Sequence, residues 1–236
     1  MADSVFRFKQ FEVDQEGCAM KINTDGVLLG AMSFHDDPRR ILDIGTGTGV
    51  IALMLAQQFP QAYIDAVEID SLAVHRASKN FQNSIFSNRI NALNGSFEII
   101  NENSFYDLIV SNPPFYTNSL HNPDIRKKMA KHTDINFFRS MLDFANKRLR
   151  LGGSLQLILP TELATEIIEL AQNHDLHLAQ NIAVRSFEHT AIIRQIIYLQ
   201  KNLNTRNVQR DFVIYASKGI YSNGYRQLLK PFFLAF

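Results

Sequence analysis

One cysteine, Cys18, stands in a chain of 236 residues. A lone cysteine closes no internal disulfide, which fits a reducing cytoplasm, and a small buried filler is the expectation for it. No stretch approaches the roughly 18 consecutive apolar residues of a membrane helix. Met1–Gln10 shows no apolar run behind a basic stretch, so neither a membrane partner nor a secretory leader is expected. Net charge is almost absent too: 24 basic residues face 23 acidic ones, and no global field advertises a nucleic acid. Internal repeats, low-complexity tracts and linkers rich in Pro, Gly or Ser are missing, so the chain reads as one large unit, expected to act as a monomer. Its histidines, His35, His75, His121, His132, His174, His177 and His189, show no paired spacing with Cys or carboxylates, and no metal is expected.

What is present is ample core material, with 46% hydrophobic and 20% charged residues. Strand and helix signals alternate along it. Arg40–Ile44, Tyr63–Val67, Ile90–Leu93, Tyr106–Val110 and Leu155–Leu159 read as strands. Val50–Ala56, Leu72–Phe81, Phe137–Leu149 and Glu162–Ala171 read as helices, the third one broken by Gly152-Gly153. This alternation implies a doubly wound α/β fold with a mainly parallel sheet covered on both faces. Leu178–Val184 and Ile192–Leu199 suggest an antiparallel addition at one edge. Ahead of the first core strand, alternation in Phe6–Phe8 and Phe11–Val13 suggests a small hairpin, and Thr24-Asp25-Gly26 a capped helix start. Residues 1–38 are therefore expected to form a flap on a core spanning residues 39–236.

Between the first core strand and its helix lies Asp43-Ile44-Gly45-Thr46-Gly47-Thr48-Gly49. Alternating glycines permit a tight turn and close approach of a ligand. The spacing is Gly-x-Gly-x-Gly, and no Lys-Ser/Thr follows, which excludes a phosphate-cradling P-loop. Glu68 ends the next strand, nineteen residues after Gly49, where a carboxylate can accept from both hydroxyls of a ribose. Asp70 falls past the strand and suits a helix N-cap. A dinucleotide dehydrogenase would satisfy this half of the pattern as well.

The fourth core strand stops at Asn112-Pro113-Pro114-Phe115. Asn112 offers an amide oxygen and Pro113 a carbonyl, and two prolines stiffen the turn that carries both. Two fixed acceptors can grip both hydrogens of a planar NH₂ group. Its lone pair is delocalised, so such a grip favours the tetrahedral nitrogen that attacks a methyl donor. Phe115 can stack on the acceptor's π face for about 1–3 kcal/mol. The alternative is a proline-stiffened loop holding a packed Phe.

Together these motifs resemble the Rossmann-fold amino methyltransferases. The blocks Phe6–Val13, Cys18–Ala31, Leu42–Gln57, Asp65–Asp70, Asp107–Phe115 and the closing Tyr221–Phe236 resemble the bacterial tRNA(Val) adenine N6-methyltransferase family over nearly the whole chain. The resemblance implies a class I fold with a seven-stranded sheet and S-adenosylmethionine as cofactor. It implies that Gly45, Gly47 and Gly49, with Asp43 and Thr46, pass the methionine part of that cofactor. Glu68 and Ile69 would hold its ribose end, Asn112 would also border the cofactor, and Asn112–Phe115 would hold the target adenine. Lys21, Thr24 and Asp25 fall in a flap over the cofactor. Ser96, beside Phe97, stands where such enzymes often carry an Asp to the cofactor adenine.

The resemblance makes tRNA the expected partner, and its anticodon-loop adenine is a cheap base to rotate out of a stack. Arg126 to Arg150 carries eight basic residues against Asp134 and Asp143. Within it, Tyr116–Thr133 reads as a long connection in which Arg126, Lys127, Lys128, Lys131 and His132 grip phosphates, unless they form merely a solvated face. Rivals are a ribosomal RNA guanine N2-methyltransferase, a protein glutamine methyltransferase and a DNA adenine methyltransferase, the last lacking room for a target-recognition domain. A dehydrogenase or a silent binding module is opposed by the intact Asn112–Phe115.

Overall fold

The computed structural model describes residues 4–18, 21–114, 125–201 and 207–236, and for residues 125–134 the backbone alone. In chain order the elements are β1 (Val5–Arg7), β2 (Glu12–Asp14), α1 (Thr24–Met32), β3 (Arg40–Ile44), α2 (Val50–Gln58), β4 (Tyr63–Glu68), α3 (Ser71–Gln82), β5 (Ile90–Asn94) and β6 (Tyr106–Ser111). Then come α4 (Ile125–Arg148), β7 (Leu149–Leu159), α5 (Thr161–Gln172), β8 (Leu176–Arg185), β9 (Ile192–Lys201), β10 (Val208–Val213), β11 (Tyr215–Ser217), β12 (Ile220–Tyr221) and α6 (Asn223–Leu229). None of the described helices is long and apolar enough to cross a membrane.

The central sheet has the order β10-β8-β9-β7-β6-β3-β4-β5. Strands β5, β4, β3, β6 and β7 are mutually parallel, β9 runs antiparallel between β7 and β8, and β10 lies parallel to β8 at the far edge. The doubly wound α/β architecture stands as expected, with two corrections. Eight strands, not seven, make the sheet, because β10 joins it; four of its six residues are exposed, so no apolar pattern marks it. The antiparallel strand is interior, not at an edge. It pairs with β7 on one side and β8 on the other, and Ile196, Ile197, Tyr198 and Leu199 are all buried because both faces of the sheet are covered there.

Side chains alternate across the sheet into two cores. Ile41, Ile64, Leu108, Val110 and Ile196 join α1, α2, α3 and α6 on one face. Leu42, Ile44, Ile109, Leu157 and Ile197 join α4 and α5 on the other. Gly152-Gly153 does not break a helix: α4 ends at Arg148, and β7 passes through both glycines where its pairing with β6 is irregular. A Cβ on Gly153 would lie 2.9 Å from the Asp107 carbonyl oxygen, so a side chain would part the two strands. Helix α4 also begins at Ile125, twelve residues before the first apolar pair expected for it, which shortens the expected Tyr116–Thr133 connection. Arg, Lys, Met and Ala dominate there, good helix formers without an apolar period.

The expected hairpin is present as β1 and β2, with Phe6 opposite Val13. Phe8 pairs with Phe233, and the Lys9 ammonium donates to the carbonyls of Lys230 and Phe236 at 2.6 and 2.7 Å. Phe8, Phe11, Phe232, Val27 and Leu28 share the core of α2, so both ends of the chain pack behind the glycine loop.

Candidate active site

The order of the sheet reverses at β3, with β4 on one side and β6 on the other, and ligands in open α/β sheets bind at such a reversal. Ile44 stands opposite Ser111, whose hydroxyl donates to the Ile44 carbonyl at 2.8 Å. That bond ties the two strands one residue before each motif starts. The glycine loop then curls back. Gly45 and Thr46 N–H both donate to the Val67 carbonyl (2.9 and 3.1 Å), and Gly49 N–H donates to Thr46 O at 2.9 Å. Gly45, Gly47 and Gly49 have φ of +72°, +57° and +89°, a region L side chains rarely adopt. Their surroundings differ. A Cβ on Gly45 or Gly47 would meet nothing within 4 Å, whereas on Gly49 it would lie 2.3 Å from Phe81 Cε1. The first two leave bare backbone beside open space, and the third packs the loop onto α3.

Two carboxylates frame this loop. Asp43 is completely buried; the Thr46 hydroxyl donates to its Oδ2 at 2.6 Å, while its Oδ1 has no partner. Burial pushes its carboxyl up to about 7, against the lowering effects of the Thr46 hydroxyl and the Ala52 backbone. Glu68 accepts from Gly47 N–H at 2.9 Å through Oε2 and from Ile69 and Asp70 N–H at 2.8 and 3.0 Å through Oε1. A carboxylate has about four acceptor sites, so the loop as it stands leaves room for one ribose hydroxyl. Accepting two requires Gly47 N–H to turn away. Asp70 caps α3, as its place past the strand implied.

The Asn-Pro-Pro turn closes the other wall. Asn112 is half-buried, Pro113 buried and Pro114 exposed. Helix α1 leans against it, since a Cβ on Gly26 would lie 3.6 Å from Asn112 Nδ2. One crevice is lined by Lys21, Gly45, Thr46, Gly47 and Asn112, together with Ile22, Asn23, Gly26, Thr48, Val50 and Ile51. The helix cap is Asn23 rather than Thr24; Asn23 Oδ1 accepts Gly26 N–H at 2.9 Å. Asn before Thr-Asp-Gly was the readable signal.

Other expected residues stand apart from the crevice. Thr24 is exposed, and Asp25 is engaged by Arg194 of β9, with Nε to Oδ2 at 2.7 Å. Ser96 accepts Glu98 N–H at 3.4 Å at the head of a short 3-10 turn, next to buried Phe97, and Ile69 is 76% exposed. Phe115 lies outside the described residues. Arg126, Lys127, Lys128, Lys131 and His132 fall on the first turns of α4, with side chains outside the description. Sequence reading missed Arg194, and it missed Asn80. Asn80 is buried; its Nδ2 donates to the carbonyls of Asp14 and Thr48 at 3.0 and 2.9 Å, bonding the hairpin to the glycine loop.

The residues suit S-adenosylmethionine. Bare glycine backbone faces open space, a buried carboxylate oxygen lacks a partner, and an acidic strand end stands beside both. The methyltransferase small domain family matches residues 23–181. The chain is 48% identical over 233 residues to the tRNA1(Val) (adenine(37)-N6)-methyltransferase of Pedobacter heparinus, covering 99% of each. It is 39% identical over 246 residues to the protein of that name in Porphyromonas gingivalis, covering 99% of this chain and 96% of that one. A predicted O-methyltransferase from Agrobacterium tumefaciens superposes with a TM-score of 0.70 at 18% identity, covering 88% of this chain and 96% of its own. A 16S rRNA N2 methyltransferase from T. thermophilus, solved with AdoMet and guanosine, gives 0.56 at 20% identity, covering 84% and 51%. At such identities the structural likeness is one of fold. End-to-end overlap at 48% identity is a stronger relation, and by it the chain belongs to the tRNA1(Val) (adenine(37)-N6)-methyltransferase family, a branch of the methyltransferase small domain enzymes.

Proposed function

We infer that the chain transfers a methyl group from S-adenosylmethionine to the exocyclic N6 of an adenine in tRNA, the adenine beside the anticodon of tRNA(Val). One observation carries the reading: Asn112 shares a single crevice with Gly45 and Gly47, on adjacent strands tied by Ser111. Bound S-adenosylmethionine supplies an electrophilic methyl group. Everything else falls to the chain. Asn112 Oδ1 and the Pro113 carbonyl accept the two N6 hydrogens, which draws the nitrogen toward a tetrahedral shape and localises its lone pair. Phe115 stacks on the purine and Glu68 takes a ribose hydroxyl of the cofactor. Within the expected flap it is the segment around Lys21 that stands on the crevice wall, and Arg126, Lys127, Lys128, Lys131 and His132 grip phosphates. No strong base is needed, because the nitrogen loses its proton to solvent after it has been methylated. Positioning therefore provides most of the rate, up to roughly 7–11 kcal/mol in well-aligned cases.

The test incubates the protein with radiolabelled S-adenosylmethionine and unmodified tRNA, then identifies the labelled nucleoside. Label in N6-methyladenosine is expected, and Asn112→Ala should lower kcat by about 100-fold or more. Label in N2-methylguanosine would move the acceptor to guanine. No label in any RNA would sink the RNA reading and leave a protein glutamine amide as the acceptor to try.

A further inference from the structure

The carboxyl ends of the parallel strands lie on one rim of the sheet, and that rim continues well beyond the crevice. From Asn112 it passes through Gly26 and Asp25 to Arg194, which stands opposite Val184 near the end of β8. Three strand spacings of about 4.8 Å set β8 roughly 14 Å from β6. There the chain enters a turn closed three ways. Phe187 N–H donates to Thr190 Oγ1 at 3.0 Å, Thr190 Oγ1 donates back to the Phe187 carbonyl at 2.8 Å, and Arg185 Nη1 donates to the Thr190 carbonyl at 2.6 Å. A ring held by so firm a turn loses little entropy on binding.

Phe187 ends a column of rings. Tyr225, buried, stacks on Tyr221 with centroids 4.5 Å apart and planes 9° off parallel. Tyr221 stacks on Tyr215 at 5.1 Å and 19°, and Phe187 lies 5.7 Å from Tyr215 with its plane tilted by 36°. One end of the column is sealed. At the other, Phe187 is half-buried, has no further ring neighbour among the described residues, and belongs to neither hydrophobic core. The β11–β12 hairpin that carries Tyr215 and Tyr221 starts at the same rim, with Ile214 and Tyr215 N–H bonded to the carbonyls of Arg185 and Ser186. Its tip presents exposed Lys218 and Ile220. Glu188 stands exposed beside Phe187, and Asp211 is engaged by Arg185, so Lys218 is the cation that the hairpin itself offers. Stacked tyrosines with a tilted ring at their open end and an exposed lysine on the same hairpin fit a single-stranded nucleic acid.

We propose that this column is a stacking platform for unpaired bases flanking the target adenine, with Phe187 taking a base and Lys218 a phosphate. The proposal rests on the tRNA reading above and assigns it a second contact surface. Methylation kinetics with unmodified tRNA test it, alongside S-adenosylmethionine binding. Phe187→Leu keeps apolar bulk and removes the π face, so KM for tRNA should rise about five- to tenfold, with kcat and cofactor affinity unchanged. Phe187→Tyr should restore the KM. Lys218→Ala, at an exposed tip, should reduce the salt slope of tRNA binding by about one. Wild-type KM and salt slope in both variants, with wild-type methylation of tRNA intact, would overturn the platform and leave the function standing. A wild-type protein that methylates no RNA would overturn both.

Discussion

Asp43 makes stability depend on pH in a direction opposite to most carboxylates. Its carboxyl keeps a proton until about pH 7 in the folded chain and loses it near 3.8 when unfolded, because burial beneath the glycine loop penalises the charge. Between those values the folded state binds more protons than the unfolded one, so unfolding free energy falls as pH rises. About three pKa units at 1.36 kcal/mol each give at most about 4 kcal/mol of lost stability. The loss begins near pH 4 and levels off above pH 7. Comparison with Asp43→Asn isolates it, since every other group titrates in both proteins. Urea unfolding of the cofactor-free proteins at half-unit steps from pH 4 to 8.5 should show wild type losing several kcal/mol relative to the variant, with a plateau beyond 7. Above pH 7, where Asp43 is ionised, the variant should also bind S-adenosylmethionine more weakly, because a charged carboxylate at the cofactor loop is replaced by a neutral amide. A stability difference that stays flat across pH 4–7 would refute the account of Asp43 as a destabilising, functionally retained carboxylate.

The two kinds of loop glycine should separate in the same assays. Gly49→Ala combines left-handed strain of about 1–2 kcal/mol with a Cβ driven into Phe81, another 1–3 kcal/mol or so by the usual scale of overpacking. Gly47→Ala carries the strain alone; its Cβ enters open space, so urea unfolding should change by about 1–2 kcal/mol while calorimetry shows a large loss of cofactor affinity. Equal stability losses in both would contradict the geometry. On α4, the double reversal Lys127→Glu with Lys128→Glu should weaken tRNA binding in filter assays and leave cofactor binding unchanged; undiminished tRNA affinity would remove that segment from the interface.

Local chemistry and global topology were legible to different degrees. Asp43–Gly49, Glu68 and Asn112–Pro114 could be read because each requirement sits in the backbone of a few consecutive residues: a positive φ, an acid ending a strand, a stiff turn with acceptors. The same holds for β3, β4 and β6, whose apolar runs are short and bounded. Strand β10 escaped because four of its six residues are exposed at the sheet's edge, where no apolar period is needed. The start of α4 escaped for the converse reason, being helical by propensity over residues with no apolar stripe. Contacts between distant elements leave no local mark at all. Nothing near Asp25 announces Arg194, 169 positions away, and nothing in α3 announces that Asn80 will join the hairpin to the glycine loop.

That difference explains how the ends of the chain serve a site they do not touch. Phe6–Val13 and Tyr221–Phe236 belong to the blocks that resemble the family, yet neither lines the crevice, whereas Cys18–Ala31 supplies Lys21, Ile22, Asn23 and Gly26 to it. Lys9 donates to backbone oxygens of Lys230 and Phe236, Phe8 and Phe233 pair, and these aromatic residues pack against the core of α2, the helix that Gly49 caps. Asn80 then fixes Asp14 of the hairpin to Thr48 inside the glycine loop. A loop with three positive-φ glycines gains its shape only if something outside it restricts the alternatives, because glycine itself restricts almost nothing. The clasped termini supply that restriction from behind the sheet, which leaves the front of the loop bare for a ligand. The block that shapes the loop and the block that forms the tyrosine hairpin are thus one continuous surface, running from the back of the cofactor loop to the rim where the proposed platform stands.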